Sequence, residues 1–132
     1  MTYAVLIIAY RKPGTSPVEF KAHYESTQAP LLKEISGPLF PLTHARHYLH
    51  RAGEANPDAN NPAIVLLGTQ EGIDCDSYPL LVWEDEDAFQ KFFAALSQPE
   101  AAARIAADEE KFLDREKLKI VVVGDSCVTE RS

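Results

Sequence analysis

Two runs of strand length, each followed by a clearly punctuated helix, constrain this chain more than anything else in it. Residues Tyr3–Tyr10 (YAVLIIAY) are rich in β-branched and aromatic residues and stop at Lys12-Pro13-Gly14, which reads as a buried strand ending in a turn. Ser16-Pro17-Val18-Glu19 comes next. It is a capping box with proline at the first helical position, supplying partners for orphan amides and pre-setting φ. Phe20, Tyr24, Leu31, Leu32 and Ile35 then recur at helical spacing as one apolar stripe. Pro30 lacks an N–H and is expected to kink or tighten this helix, and Gly37-Pro38 ends it. Leu42–Arg51 alternates as a second strand, with Thr43, Ala45, His47 and Leu49 on one face and His44, Arg46, Tyr48 and His50 on the other.

The second half repeats the order. Tyr78–Glu84 is a third strand, in which Pro79 points to an edge position or a bulge near the start. Asp85 or Asp87 caps a helix carrying Phe89, Phe92, Phe93 and Leu96. A second capping box, Ser97-Gln98-Pro99-Glu100, starts a further helical segment through Leu113, and Leu118–Gly124 is a fourth strand. Between the halves, Gly53–Asp76 holds a turn-rich stretch and the apolar patch Ala63–Leu67, either a short extra strand or a plug over the core. The order β-α-β, long loop, β-α-β predicts an α+β, ferredoxin-like fold: a four-stranded antiparallel sheet with helices on one face. The uncovered face would leave a large apolar patch on a monomer, so a homodimer with its two sheets face to face is expected.

Length and composition agree with one domain over residues 1–132. No apolar run approaches the roughly 18–20 residues of a membrane helix, and no signal peptide is expected, because Met1-Thr2-Tyr3 leads straight into the first strand. The net charge of −7, from 20 acidic and 13 basic residues, argues against nucleic acid as a partner. Cys75 and Cys127 have no C-x-x-C spacing, so neither zinc nor another metal is expected, and a reduced, cytoplasmic protein is the simpler account.

Four histidines carry the chemistry open to this chain. His44 and His50 share a strand face while His47 points the other way, so one metal cannot collect all three without a bulge. His23 flanks the buried stripe of the first helix, where an imidazole can act as general acid or base. Asp108 lies four residues before Phe112 and is expected to face inward, where a carboxylate orients a histidine or has its own pKa raised. Tyr3, Tyr10, Tyr48, Trp83 and Phe89 would suit any pocket to flat aromatic ligands. Nucleotide-binding and serine-nucleophile signatures are absent from the sequence.

The run Tyr10-Arg11-Lys12-Pro13-Gly14, then Ser16–Phe20, His23-Tyr24-Glu25 and Ala29-Pro30-Leu31, resembles the EthD family, as does Phe89…Phe92-Phe93 with Asp108-Glu109…Phe112. The likeness spans essentially the whole chain and implies the dimeric α/β-barrel superfamily. Ser36–His44 and the Asn56–Asn61 insertion look most like the fungal branch, whose members often accompany polyketide synthases. The family's helical histidine falls on His23, its acidic pair on Asp108-Glu109, and its second histidine is replaced here by Gln28. The resemblance implies a cofactor-independent enzyme on a small aromatic or polyketide-type molecule, first of all a decarboxylase. A cyclase or dehydratase, an anthrone-type oxygenase and a non-catalytic ligand-binding protein are the alternatives. In that reading His23 donates a proton with His44 or His47 helping, Asp108 orients an imidazole, and Arg46 or Gln28 stabilises oxyanion charge. Tyr24, Tyr48, Trp83 and Phe89 then bind the substrate.

Overall fold

The computed structural model describes residues 2–56 and 61–131; most of the Asn56–Asn61 insertion therefore lies outside the described residues. Four strands, β1 (Tyr3–Ile8), β2 (Thr43–Ala45), β3 (Leu80–Trp83) and β4 (Lys119–Val123), form one antiparallel sheet in the order β2-β3-β1-β4. That is the ferredoxin-like order. The register sets Leu6 opposite Leu80 on one side and Val121 on the other. Odd-numbered Val5, Ala9, Leu81 and Trp83 therefore point toward the helices and form the core with Phe20, Tyr24, Phe92 and Phe112.

Pro79 does not mark an edge, because β3 lies between β2 and β1. Nor does it make a bulge, since Leu6–Leu80 and the bridge Ala9–Ser77 share one register. The Ile7 N–H donates to the Pro79 carbonyl at 2.8 Å, and proline has no N–H to return, so the regular ladder pauses for that one residue. The second strand is shorter than its alternation predicts. Only Thr43–Ala45 is regular, yet the register continues through the Tyr78 N–H to His47 carbonyl bond and the bridge Tyr48–Ser77.

The first helix starts as its sequence dictates. Glu19 N–H donates to Ser16 Oγ at 3.1 Å and Ser16 N–H to Glu19 Oε1 at 3.0 Å, with Pro17 opening α1 (Pro17–His23). Tyr24–Gln28 is then a π turn, followed by α2 (Ala29–Ser36). Pro30 does not tighten the helix; the turn before it widens, with the Ala29 N–H reaching back five residues to the Tyr24 carbonyl. The widening has a geometric effect. The buried positions run Phe20, Tyr24, Gln28, Leu32 and Ser36, every fourth residue. At 3.6 residues per turn such a repeat drifts about 40° per step, and a wider turn removes part of that drift.

In the second half Asp85 accepts the Ala88 N–H at 2.8 Å and caps α3 (Glu86–Leu96). The second capping box does not form. Ser97 closes α3 with helical backbone, its hydroxyl donating to the Phe93 carbonyl, and the N-cap of α4 (Pro99–Glu109) falls one residue later, on Gln98. This helix stops at Glu109 and turns carry the chain to Leu113.

The long loop is pinned by charge and not by its apolar patch. Arg51 and Asp76 pair at 3.0 Å, and Arg51 also donates to the carbonyls of Asn61 and Cys75. Arg11 adds its backbone N–H to Asp76 at 2.9 Å and its guanidinium to the Asn61 side chain. Asn61 in turn donates to the carbonyls of Ala52, Gly53 and Asn56. Of the patch, Ala63 bridges Arg51, but Leu66 and Leu67 are 98% and 94% exposed, so it is neither strand nor plug. No helix among the described residues is long and apolar enough to cross a membrane.

Candidate functional site

A cavity of about 480 Å³ lies between the sheet and the helices. Its inner wall is Val5, Leu81, Trp83 and Phe92 with Tyr24 and Gln28 from the π turn; Phe93, Ser97, Arg115 and Ile120 rim its exposed side. The wall is almost wholly apolar, because every cavity-facing sheet position is aliphatic or aromatic and α3 turns three phenylalanines onto it. Gln28, 4% exposed, makes no side-chain hydrogen bond, and its Oε1 and the Trp83 indole Nε1 are buried without a protein partner. Pockets of this size and polarity are ordinary small-molecule sites.

Of the residues singled out from the sequence, Tyr24, Gln28, Trp83 and Phe89 line the cavity. Trp83 and Phe89 meet edge to face at 5.0 Å between ring centroids. Two imidazoles stand just behind the wall. His44 Nε2 is hydrogen-bonded to the Tyr24 hydroxyl at 3.3 Å; burial foremost, then the Arg46 charge, lowers its pKa to about 4, so it is neutral near pH 7. Burial likewise raises the Tyr24 phenol well above its usual range, which keeps that proton on oxygen.

His23 lies on the other side of the π turn. Its Nε2–H donates to Asp108 Oδ1 at 2.8 Å, and its ring stacks on Phe112 with centroids 4.5 Å apart. Asp108 is 5% exposed and faces inward, the second oxygen of its carboxylate without a partner. Neither residue lines the cavity.

Three residues are elsewhere. Arg46 forks onto the Glu25 carboxylate at 2.6 and 3.0 Å, and Tyr48 donates to the same carboxylate at 2.6 Å. Arg46 foremost therefore holds the Glu25 pKa low. A guanidinium engaged bidentately on the surface is not free to meet an oxyanion in the cavity. His47 is exposed and points away from the cavity, as the alternation of its strand requires. Among the described residues no cluster of three or more His, Cys, Asp or Glu could hold a metal, and Cys75 and Cys127 are free.

Arg115, which the sequence reading missed, and Glu109, which it named only as half of the acidic pair the resemblance implies, both line the cavity. Arg115 Nε lies 3.2 Å from Glu109 Oε1, and the two side chains are 46% and 15% exposed. Burial, outweighing the Arg115 charge, raises the Glu109 pKa. A signal for Glu109 was present: Ala102, Ile105, Ala106, Glu109 and Leu113 follow helical spacing, and all line the cavity. Arg115 lies in irregular chain, where no periodicity reaches it.

The profile of the EthD domain family matches residues 12–116. A solved structure of an ethyl tert-butyl ether D (EthD) family protein from Bacillus halodurans is similar with a TM-score of 0.55 at 18% identity, covering 94% of this chain and 99% of that one. Two structures of SnoaB, a cofactor-independent oxygenase from Streptomyces nogalater, give TM-scores of 0.49 and 0.44. Their identities are 17% and 15%, over 99% and 96% of this chain and 94% and 93% of theirs. No curated protein matches the sequence.

Proposed function

The chain belongs to the EthD family, and from that premise we propose that it is a cofactor-independent enzyme tailoring an aromatic, polyketide-type small molecule, first of all by decarboxylation, as in the fungal branch it resembles. The observation that carries this reading is the cavity: about 480 Å³, walled by Trp83, Phe89 and Phe92, with few polar groups. Losing CO₂ from an aromatic β-keto acid breaks a C–C bond whose electron pair passes into the keto group, and a proton then returns to carbon. Such a step is favoured where water is excluded and fixed dipoles meet the developing enolate.

Tyr24 and Gln28 are the side chains we assign to the substrate oxygen, since both reach the cavity from the π turn and Gln28 has its amide uncommitted. Proton handling falls to the imidazoles behind them, His44 through the Tyr24 hydroxyl and His23 with Asp108 fixing its ring. The uncovered sheet face, with Leu6, Leu80 and Val82 half-buried and Val121 exposed, supports a homodimer joined face to face. A monomeric mass in sedimentation at micromolar concentration would count against that assembly.

Incubation with aromatic β-keto acids and mass analysis of the products tests the reaction: a product lighter by CO₂ is expected. Loss of water or gain of oxygen would redirect the assignment to a dehydratase or an oxygenase. No change with any of them, despite binding, would leave a ligand carrier. In an active preparation, His23→Ala lowers turnover by roughly 10²-fold or more if His23 is the general acid.

A further inference from the structure

Glu109 and Arg115 are the only charged side chains that line the cavity among the described residues, and they occupy it asymmetrically. Glu109 is the inner member, in the last turn of α4; Arg115 is the half-exposed outer member on the rim. A carboxylate at a helix C-terminus faces the negative end of the macrodipole, and this one also faces an apolar wall; the Arg115 charge works against both. The groups facing Glu109 are few. Arg115 comes from the chain after α4, Asp108 and Glu110 from its own helix, and Tyr24 from the π turn; Asp108 is already bonded to His23, and Glu110 lies 3.9 Å from Arg115. Among the described residues the sheet offers the cavity no charged side chain: Ile7 and Ile120 come from the strands, Ala9 and Leu118 from just beyond their ends.

We propose that this is a displaceable ion pair that selects an aromatic carboxylate: the ligand's anionic group takes Arg115 at the rim, and Glu109, released, takes up a proton. The proposal rests on the reading of the cavity as an aromatic-ligand site and names the class of ligand it takes. Arg115 has the freedom for the exchange, since its side chain is 46% exposed and held by one oxygen of Glu109 at 3.2 Å and, more loosely, by one of exposed Glu110 at 3.9 Å. Glu109 does not follow it out, being 15% exposed. Desolvation already raises the Glu109 pKa, and removing the guanidinium raises it further, so ligand binding and proton uptake are linked. The chain as a whole is acidic at −7. With charges screened over about 8 Å at physiological salt, distant carboxylates act weakly at the rim, where Arg115 is the cation lining the cavity. A neutral Glu109 would then stand in the cavity as a carboxylic acid, a proton donor facing the bound ring.

Calorimetric titration of the full chain with 2-naphthoate and with its uncharged counterpart 2-naphthamide, in buffers of different ionisation enthalpy, tests this. The carboxylate is expected to bind about tenfold or more tightly than the amide, with proton uptake near pH 7. Arg115→Gln removes that preference, Arg115→Lys keeps part of it, and Glu109→Gln abolishes the proton uptake while the preference survives. Equal affinities for the two probes, or a preference undisturbed in Arg115→Gln, would overturn the proposal, and so would carboxylate binding without proton uptake. Failure of both probes to bind would instead sink the aromatic-cavity reading, and this inference with it. Arg115 is half-exposed and Glu109→Gln nearly isosteric, so both variants are expected to fold.

Discussion

Two buried polar regions, the charged cluster under the long loop and the cavity, have been built to opposite rules. Under the long loop, Arg11, Arg51, Asp76 and Asn61 bond to one another and to five backbone carbonyls and one amide; Arg51 Nε and Asp76 Oδ1 meet as an ion pair at 3.0 Å, and one guanidinium nitrogen of Arg11 is left over. Around the cavity, Gln28 and the Trp83 indole are equally buried and bond to nothing, and the Glu109 pair is reached by a single contact. Burying a polar group without a partner costs about 1–3 kcal/mol, so the second arrangement is a net liability to folding. Its retention makes sense if something other than the fold uses those groups. The first region holds the chain together; the second holds polar groups ready.

That contrast can be broken by measurement, and the largest effect belongs to the closed cluster. Asp76→Ala leaves two buried guanidinium groups without their carboxylate, and about 3–5 kcal/mol of stability should be lost in chemical denaturation. A loss below about 1 kcal/mol would mean that the cluster is not what pins the loop.

The next effect is on pH. His44 has a folded pKa of about 4, below the unfolded value of about 6.5, so the unfolded chain binds this proton first. Its contribution is therefore fully present above about pH 6.5 and is lost as pH falls toward about 4, a decline of roughly 2–3 kcal/mol. His44→Asn should flatten that part of the acid limb, and an unchanged slope would show that the imidazole is not buried neutral. The smallest effect sharpens the comparison most. Gln28→Leu breaks no hydrogen bond, and stability should move by less than about 1 kcal/mol while affinity for an aromatic ligand falls. A large loss of stability in that variant would place Gln28 among the structural groups instead.

The fold was legible because its signals are local. The capping box at Ser16–Glu19, the Gly37 stop and the alternation around His44 each act within a few residues, and their order allows few topologies. The inward turn of Asp108 was legible too, from its spacing to Phe112. The π turn was not, because Pro30 shows only that a hydrogen bond is lost and not how the backbone compensates. Ser97 was misread because it sits between two helices and its backbone belongs to the one it closes, so the cap of the next falls on Gln98. The Arg51–Asp76 pair and Arg115 lay beyond reach for a different reason: charges in irregular chain leave no period to read, and the Arg51 pair also spans the long loop.

The π turn bears on how this chain is to be compared with others. A wide turn amounts to one residue more than a regular helix needs between the same two ends. Ser26 and Thr27 are exposed, so deleting either is an expendable change by composition. The shorter chain would close the wide turn into a regular one and keep Phe20 and Tyr24 aimed as they are relative to Leu32. A relative one residue shorter here would thus lose the bulge and not the direction of its side chains. Across this helix a gap of one is absorbed within a single turn.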